Sequence, residues 1–125
     1  MSSPTTRFFE TLRERGPQML PAKFALGSVR FDLERGNETY HWFVAMENGT
    51  MVVSEEDRPA DCVARTEIEV FDRIVTGEAH LIATLIRNDM TVEGILPLLL
   101  LFRRAFPSAP SARDPRDLVD RRRHQ

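Results

Sequence analysis

Residues 95–102 form an unbroken apolar run, Ile-Leu-Pro-Leu-Leu-Leu-Leu-Phe, in a chain of 125 residues of which 29% are charged. Pro97 suits the first turn of a helix, and Arg103 and Arg104 suit its last turn, so the pattern predicts a helix over residues 96–106. A helix that packs on one sheet needs a single apolar stripe, whereas this one is apolar around most of its circumference. We therefore expect its second face to be covered by more protein, by a partner chain or by an apolar ligand.

The composition is that of a single globular domain. A chain of 125 residues buries about two thirds of its unfolded surface and is too short for two ordinary domains. The net charge of −2 provides no attraction to a phosphate backbone, so we expect no nucleic-acid partner. The apolar run is shorter than the roughly 20 residues of a membrane span, so we expect no stable membrane insertion. The single cysteine, Cys62, and an N-terminus without a signal-peptide pattern predict a cytoplasmic protein.

The first half of the chain predicts one helix and three meandering strands. Apolar residues at helical spacing predict a helix over residues 7–15, which Gly16 and Pro17 are expected to end. Alternating apolar and charged residues then predict a half-buried strand, and the next strand is apolar on both sides. Asn48 and Gly49 predict a two-residue hairpin loop before the third strand. The strands are expected at residues 29–33, 40–46 and 50–54.

The second half predicts two further helices and two further strands before the apolar helix. Thr66 and Glu69 match a capping box, which predicts that a helix begins there and ends at Gly77. The remaining elements are expected as strands at residues 62–65 and 90–93 and a helix at residues 79–87. This order predicts an α+β domain with a five-stranded, largely antiparallel sheet and helices packed on one side. Residues 107–125, rich in proline and charge, are expected to be a flexible tail after a domain of residues 1–106.

Three segments resemble the sterol carrier protein type 2 (lipid-transfer) family. Phe-Asp-Arg-Ile-Val-Thr-Gly at residues 71–77 resembles that family's helix that ends in a glycine, and Met-Thr-Val-Glu-Gly at residues 90–94 resembles the strand before its last helix. Ser-Val-Arg-Phe-Asp-Leu at residues 28–33 fits the first half. The resemblance covers residues 7–106, with departures at Ile95, where an aspartate is common, and at Asn88, where a glycine is common.

The resemblance implies a non-catalytic protein without a cofactor. It implies that an apolar tunnel between sheet and helices binds a sterol, a fatty acid or a fatty acyl-CoA, and it leaves open whether the protein also transfers the ligand. The leucine-rich helix would line this tunnel together with residues of the sheet and the glycine-ended helix. The expected ligand-binding residues are Trp42, Phe43, Phe71, Ile74, Met90, Leu98, Leu99, Leu101, Phe102 and Phe106.

Two other functions remain open at the level of sequence. A small cyclase or isomerase acting on a polyketide- or terpenoid-like substrate in the same tunnel would need a buried acid or base, for which His41, Tyr40, Asp32 and Glu93 are the candidates. Alternatively, the leucine-rich helix would form the seam of a homodimer. No histidine pair has the helical spacing of metal ligands, so we expect no metal site.

Overall fold

The structure is a computed structural model that describes residues 3–19, 26–47 and 49–106, and for residues 16–19 only the backbone. The predicted tail, residues 107–125, lies outside the described residues. The helices of the described part are α1 (Pro4–Met19), α2 (Ile68–Val75), α3 (Leu81–Ile86) and α4 (Leu96–Leu100), and α4 continues as a 3-10 turn, Leu101–Arg104. The strands are β1 (Gly27–Arg35), β2 (Glu38–Glu47), β3 (Thr50–Ser54), β4 (Cys62–Glu67) and β5 (Met90–Gly94).

The five strands form one sheet in the order β3-β2-β1-β4-β5. Every neighbouring pair is antiparallel except β1 and β4, which confirms the largely antiparallel sheet. Glu47 pairs with Thr50, so the hairpin loop between β2 and β3 has the two predicted residues. Residues 55–61 join β3 at one edge to β4 beyond β1, and this crossover segment therefore passes over β2 and β1.

Alternation along the strands decides which side chains meet the helices. Phe31 of β1 and Trp42 of β2 are paired in register, and both point to the face that we call the inner face. Helix α1 packs on this face through Phe9 and Leu12, which have no exposed surface. Together with α2 and α4, helix α1 encloses one hydrophobic core, which contains Phe9 and Leu12.

Two predicted element boundaries are wrong. Helix α1 continues through Gly16 and Pro17 to Met19 instead of ending before them. Thr66 does not cap α2, since it lies within β4 and its hydroxyl donates to the carbonyl oxygen of Asp89 at 2.7 Å. Helix α2 begins at Ile68, directly after Glu67, the last residue of β4, and no side chain caps it.

The apolar helix also differs from its prediction, in length. Its α-helical part ends at Leu100, and the chain tightens into the 3-10 turn instead of continuing to Phe106. Hydrogen bonds of a 3-10 turn are less well aligned than those of an α-helix. Residues 95–104, which we call the leucine segment, are therefore held mainly by the side chains that they bury.

Gly94 is the hinge between β5 and the leucine segment. Its φ of +93° lies in the left-handed region, and an added Cβ would lie 2.1 Å from the carbonyl oxygen of Asp61. The amide of the next residue, Ile95, donates to the same oxygen at 2.9 Å. A side chain at this position would therefore disturb the backbone contact that starts the leucine segment.

We expect Gly94→Ala to destabilise the fold more than Gly49→Ala does. Gly49 has a similar φ of +82°, but nothing lies within 4 Å of its added Cβ. The control Gly49→Ala should therefore lower the free energy of unfolding only by the cost of a left-handed backbone conformation, about 1–2 kcal/mol. The clash in Gly94→Ala should lower the free energy of unfolding by at least about 1 kcal/mol more. Urea denaturation measures both values, and equal losses would contradict the close approach.

Candidate functional site

The inner core brings together nine of the ten residues predicted to bind a ligand. Seven of them are buried, and Leu101 and Phe106 are half-buried against the same cluster. Phe43 is the exception, because it follows Trp42 in β2 and successive strand residues point to opposite faces. Its ring lies on the outer face of the sheet, 4.7 Å below the Arg58 guanidinium. The structure therefore does not bring Phe43 together with the other nine residues.

A continuous path of aromatic rings crosses the core. The Phe9 ring stacks on Trp42 at a centroid distance of 4.7 Å and on Phe71 at 5.6 Å. Phe71 in turn meets the edge of Phe106 at 5.8 Å. Phe8, buried to 8% exposure, lies 5.1 Å from Phe106 and 6.2 Å from Phe71. The path thus leads from the centre of the sheet to the surface between α1 and the end of the 3-10 turn.

Within the described residues, the side chains of this path pack directly against one another. Four of the cavities that described residues line have volumes of about 210–330 Å³ and open to the surface, and one of them is lined mostly by the polar residues of β1, β4 and the start of α2. Large aromatic side chains occupy the volume that a ligand would need, because rings packed at 5–6 Å leave no gap between them. Between these rings, an apolar molecule would have to displace one or more of the side chains.

One open groove touches the aromatic path. It has a volume of about 320 Å³ and lies between α1, the end of α2 and the 3-10 turn, with Phe8 and Val75 on its apolar side and Arg7 at its rim. Thr11 and Ala105 complete the walls, together with Pro4 and Thr76. Its volume is at the lower end of that of small-molecule pockets.

The leucine segment has two different sides. Leu98, Leu99 and Phe102 point into the core, and the Phe102 ring meets Phe31 at 5.1 Å. On the other side Ile95 is 52% exposed and Leu96 is 40% exposed. The segment therefore covers the core with one side, and within the described part of the chain its second side faces solvent.

The outer face of the sheet holds a polar cluster that the sequence analysis did not identify as a unit. The side chain of Asp32 is 1% exposed and accepts two hydrogen bonds from Arg30, from Nε at 2.8 Å and from Nη2 at 3.1 Å. His41 lies opposite Asp32 in the β1–β2 register, with Nδ1 2.8 Å from the carboxylate. An ionised carboxylate can only accept, so Nδ1 is the donor. Arg65 approaches from β4 at 3.4 Å.

This cluster controls the ionisation of Asp32. Burial raises the pKa of the carboxyl, but hydrogen bonds from Arg30 and then from His41 lower it further than burial raises it, so the net pKa lies below its ordinary value. The pKa of Arg30 is raised, first by its hydrogen bond to Asp32. Asp32 is thus an anion at neutral pH whose charge is matched within the sheet.

The crossover segment, residues 55–61, is fastened to the same cluster. Arg30 donates through Nη1 to the carbonyl oxygen of Arg58 at 2.9 Å and pairs with the Asp57 carboxylate at 3.3 Å. Asp57 also lies 3.8 Å from Nε2 of His41. The signal that could have found this cluster was the spacing of Asp32 and His41 about Gly36, which lies in the turn between β1 and β2 and so places them opposite each other in a hairpin.

The cluster does not serve the rival enzyme hypothesis in the form predicted. Asp32 and His41 lie on the outer face, separated by the sheet from the apolar core, and Tyr40 and Glu93 are exposed. Glu93, which pairs in register with Val63, lies on the outer face as well, whereas Tyr40 shares the inner face with Trp42. Burial raises the pKa of the Cys62 thiol, which keeps it protonated.

Two further properties concern the described residues as a whole. Among them, no three His, Cys, Asp or Glu side chains come together as a possible metal site. The described part of the chain also contains no helix with the length and apolar character that crossing a membrane requires.

Comparisons with solved structures show a shared fold. The chain is similar to sterol carrier protein 2 from Aedes aegypti in complex with palmitate, with a TM-score of 0.63 and 22% identity over 82% of this chain and 94% of that one. The apo form from Yarrowia lipolytica gives a TM-score of 0.64 and 18% identity over 77% and 91% of the two chains. A double mutant of a sec-alkyl sulfatase gives 0.64 and 16% over 90% of this chain but only 18% of that one.

A comparison at the level of sequence assigns the family. No curated protein sequence matches the chain significantly. The model of the SCP-2 sterol transfer family matches residues 9–107, which include α1 from Phe9 onward, the whole sheet and the leucine segment. Since this match spans most of the chain, the protein belongs to the SCP-2 sterol transfer family.

Proposed function

We propose that the protein binds one apolar molecule, such as a fatty acid, a fatty acyl-CoA or a sterol, between the sheet and the helices, and carries it without catalysing a reaction. Family membership supports a carrier, and the similar Aedes aegypti protein is described in complex with palmitate. The observation in this chain that carries the proposal is the groove at Phe8, which meets the aromatic path of the core.

Entry of a ligand requires the core to open, and the leucine segment is the element best suited to move. Its helical part has only five α-helical and four 3-10 residues after Ile95, and it covers the core through Leu98, Leu99 and Phe102. Displacing those three side chains exposes apolar surface, which an acyl chain or a sterol ring system would cover again. Contacts with the ligand then replace contacts that side chains of the closed core make with one another.

The chemistry of the groove favours a ligand with an acidic head. Arg7 lies at the rim, where its guanidinium can pair with a carboxylate or a phosphate, and Phe8 begins the apolar path immediately behind it. A fatty acid or a fatty acyl-CoA satisfies both features. A sterol satisfies only the second, so Arg7→Gln should weaken fatty-acid binding and leave sterol binding unchanged.

Filling the groove tests the proposal. We expect Thr11→Trp, which places an indole in the groove from the exposed side of α1, to weaken binding of a fluorescent fatty acid by about tenfold or more. The matched control is Val52→Trp on β3, where the native side chain is 59% exposed and far from the groove in the fold. Fluorescence titration gives both dissociation constants, and circular dichroism establishes that both variants are folded.

The results separate failure of the entry route from failure of the function. Unchanged affinity in a folded Thr11→Trp variant would place the entrance elsewhere. If delipidated wild-type protein bound neither fatty acid, acyl-CoA nor sterol, the carrier function itself would be wrong. Native mass spectrometry adds a direct view, since extra mass on a monomer supports the carrier and a ligand-free dimer supports the homodimer seam.

A further inference from the structure

The outward side of the leucine segment combines apolar and cationic groups in one place. Ile95 and Leu96 are exposed at its start. Beyond them lies a shallow groove of about 220 Å³, whose walls are entirely apolar or basic. These walls are Pro97, Leu100, Leu101, Arg103 and Arg104. We call this side of the segment, from Ile95 to Arg104, the leucine–arginine face.

The charge of this face is not balanced by the neighbouring carboxylates of the described residues. None of the ion pairs within the described ranges involves Arg103 or Arg104. Glu93 precedes the segment by two residues, but it pairs in register with Val63 and so belongs to the outer face of the sheet. The leucine–arginine face therefore combines solvent-exposed apolar side chains with a local positive charge on a protein of net charge −2.

This combination fits one kind of partner better than another copy of the chain. A two-fold contact through so short a face would bring the Arg103 and Arg104 guanidinium groups of both copies into one small interface, where like charges repel. An anionic lipid surface has the opposite arrangement. Its phosphates attract the arginines, and its interfacial region accepts short apolar side chains.

We propose that the leucine–arginine face docks the protein on an anionic lipid surface, with Ile95 and Leu96 entering the interfacial region and Arg103 and Arg104 contacting lipid phosphates. The segment is too short to span a bilayer, so the contact is peripheral. The opposite side of the same segment covers the core. Docking would therefore place the side chains that cover the core close to the lipid surface. This consequence rests on the proposed function, whereas the docking itself does not.

Vesicle sedimentation of the full chain, without added fatty acid, tests the docking. We expect binding to vesicles of phosphatidylcholine containing about one third phosphatidylglycerol, weaker binding at high salt, and little binding to phosphatidylcholine alone. The double variant Arg103→Gln, Arg104→Gln should lose about fivefold for each arginine, or roughly 25-fold in total. The double variant Ile95→Ser, Leu96→Ser should also bind more weakly at both salt concentrations.

The control variants carry the same changes on α3. Ile82 and Ile86 are 39% and 76% exposed, and Arg87 follows them, so Ile82→Ser, Ile86→Ser and Arg87→Gln remove comparable groups from another surface. We expect these controls to sediment like the wild type. An equal loss in the controls would overturn the assignment of the face, and so would a full chain that bound no anionic vesicle.

The remaining outcomes are equally decisive. A lipid-free dimer that dissociates in Ile95→Ser, Leu96→Ser would assign the face to a second copy and overturn the proposal. The fatty-acid titration is measured without vesicles. Variants that lose vesicle binding but keep normal fatty-acid affinity would therefore be impaired in docking and not in ligand binding. Normal vesicle binding by a protein that bound no apolar ligand would reject the carrier function and leave the docking intact.

Discussion

Asp32→Asn is expected to lower the free energy of unfolding by about 3–5 kcal/mol at neutral pH. The carboxylate is buried and is the common acceptor of Arg30 and His41, and the amide that replaces it carries no charge. The substitution keeps the volume and leaves the Arg30 guanidinium, 17% exposed, without its buried counter-charge. Urea denaturation at constant temperature measures the loss.

The matched control for Asp32→Asn is Glu34→Gln, two residues along the same strand and on the same face, where the side chain is exposed. We expect this control to change the free energy of unfolding by no more than about 0.5 kcal/mol. A loss below about 1 kcal/mol in Asp32→Asn would mean that the cluster positions the crossover segment but contributes little to the free energy of unfolding.

The pH dependence of the Asp32 effect has a defined sign. The pKa of Asp32 lies below its ordinary value of about 3.9 in the folded protein, so its contribution is fully present above that pH and is lost as the pH falls through the folded pKa. The difference in stability between wild type and Asp32→Asn should shrink as the pH falls below about pH 4. A difference that grew towards low pH would contradict the direction of the shift.

Phe71→Ala should also cost about 3–5 kcal/mol, for a different reason. Its ring is fully buried and contacts Phe9 at 5.6 Å, Phe31 at 5.3 Å and Phe106 at 5.8 Å. Removing it leaves a cavity that these rings can fill only in part. Ile86→Ala, at a side chain that is 76% exposed, is the control and should change the stability by less than about 0.5 kcal/mol.

The result for Phe71→Ala also bears on how a ligand enters. A loss of several kcal/mol means that the core is packed in solution, so that a ligand must displace side chains to bind. A loss below about 1 kcal/mol would indicate that Phe71 borders open space, as the tunnel predicted from the sequence would require.

The packing of side chains in the core could not be predicted from the sequence. The apolar character of Phe9, Phe71 and Phe102 is visible in the sequence, and it places them in the interior. Whether the interior is a tunnel or a filled core depends on the volumes and angles at which rings from different elements meet. Residues such as Phe9 and Phe71, 62 positions apart, stack only because the fold brings α1 and α2 together.

The polar cluster was missed for a related reason. Asp32 and His41 were each visible in the sequence, but a histidine between aromatic residues and an aspartate in an alternating strand each look like ordinary surface residues. The cluster exists because the β1–β2 register places them opposite each other and because the parallel pairing of β1 with β4 adds Arg65. The crossover segment then covers the carboxylate.

Sequence by itself determined the order of helices and strands, the two-residue hairpin between β2 and β3, and the apolar excess of the leucine segment. These features follow from local rules, namely the spacing of apolar residues along the chain and the backbone preferences of glycine and asparagine. Tertiary structure alone decided that Thr66 bonds to Asp89 instead of capping α2, and that rings from α1, α2 and the sheet stack against one another. These outcomes depend on register and packing between elements distant in sequence, for which a single chain of letters contains no local signal.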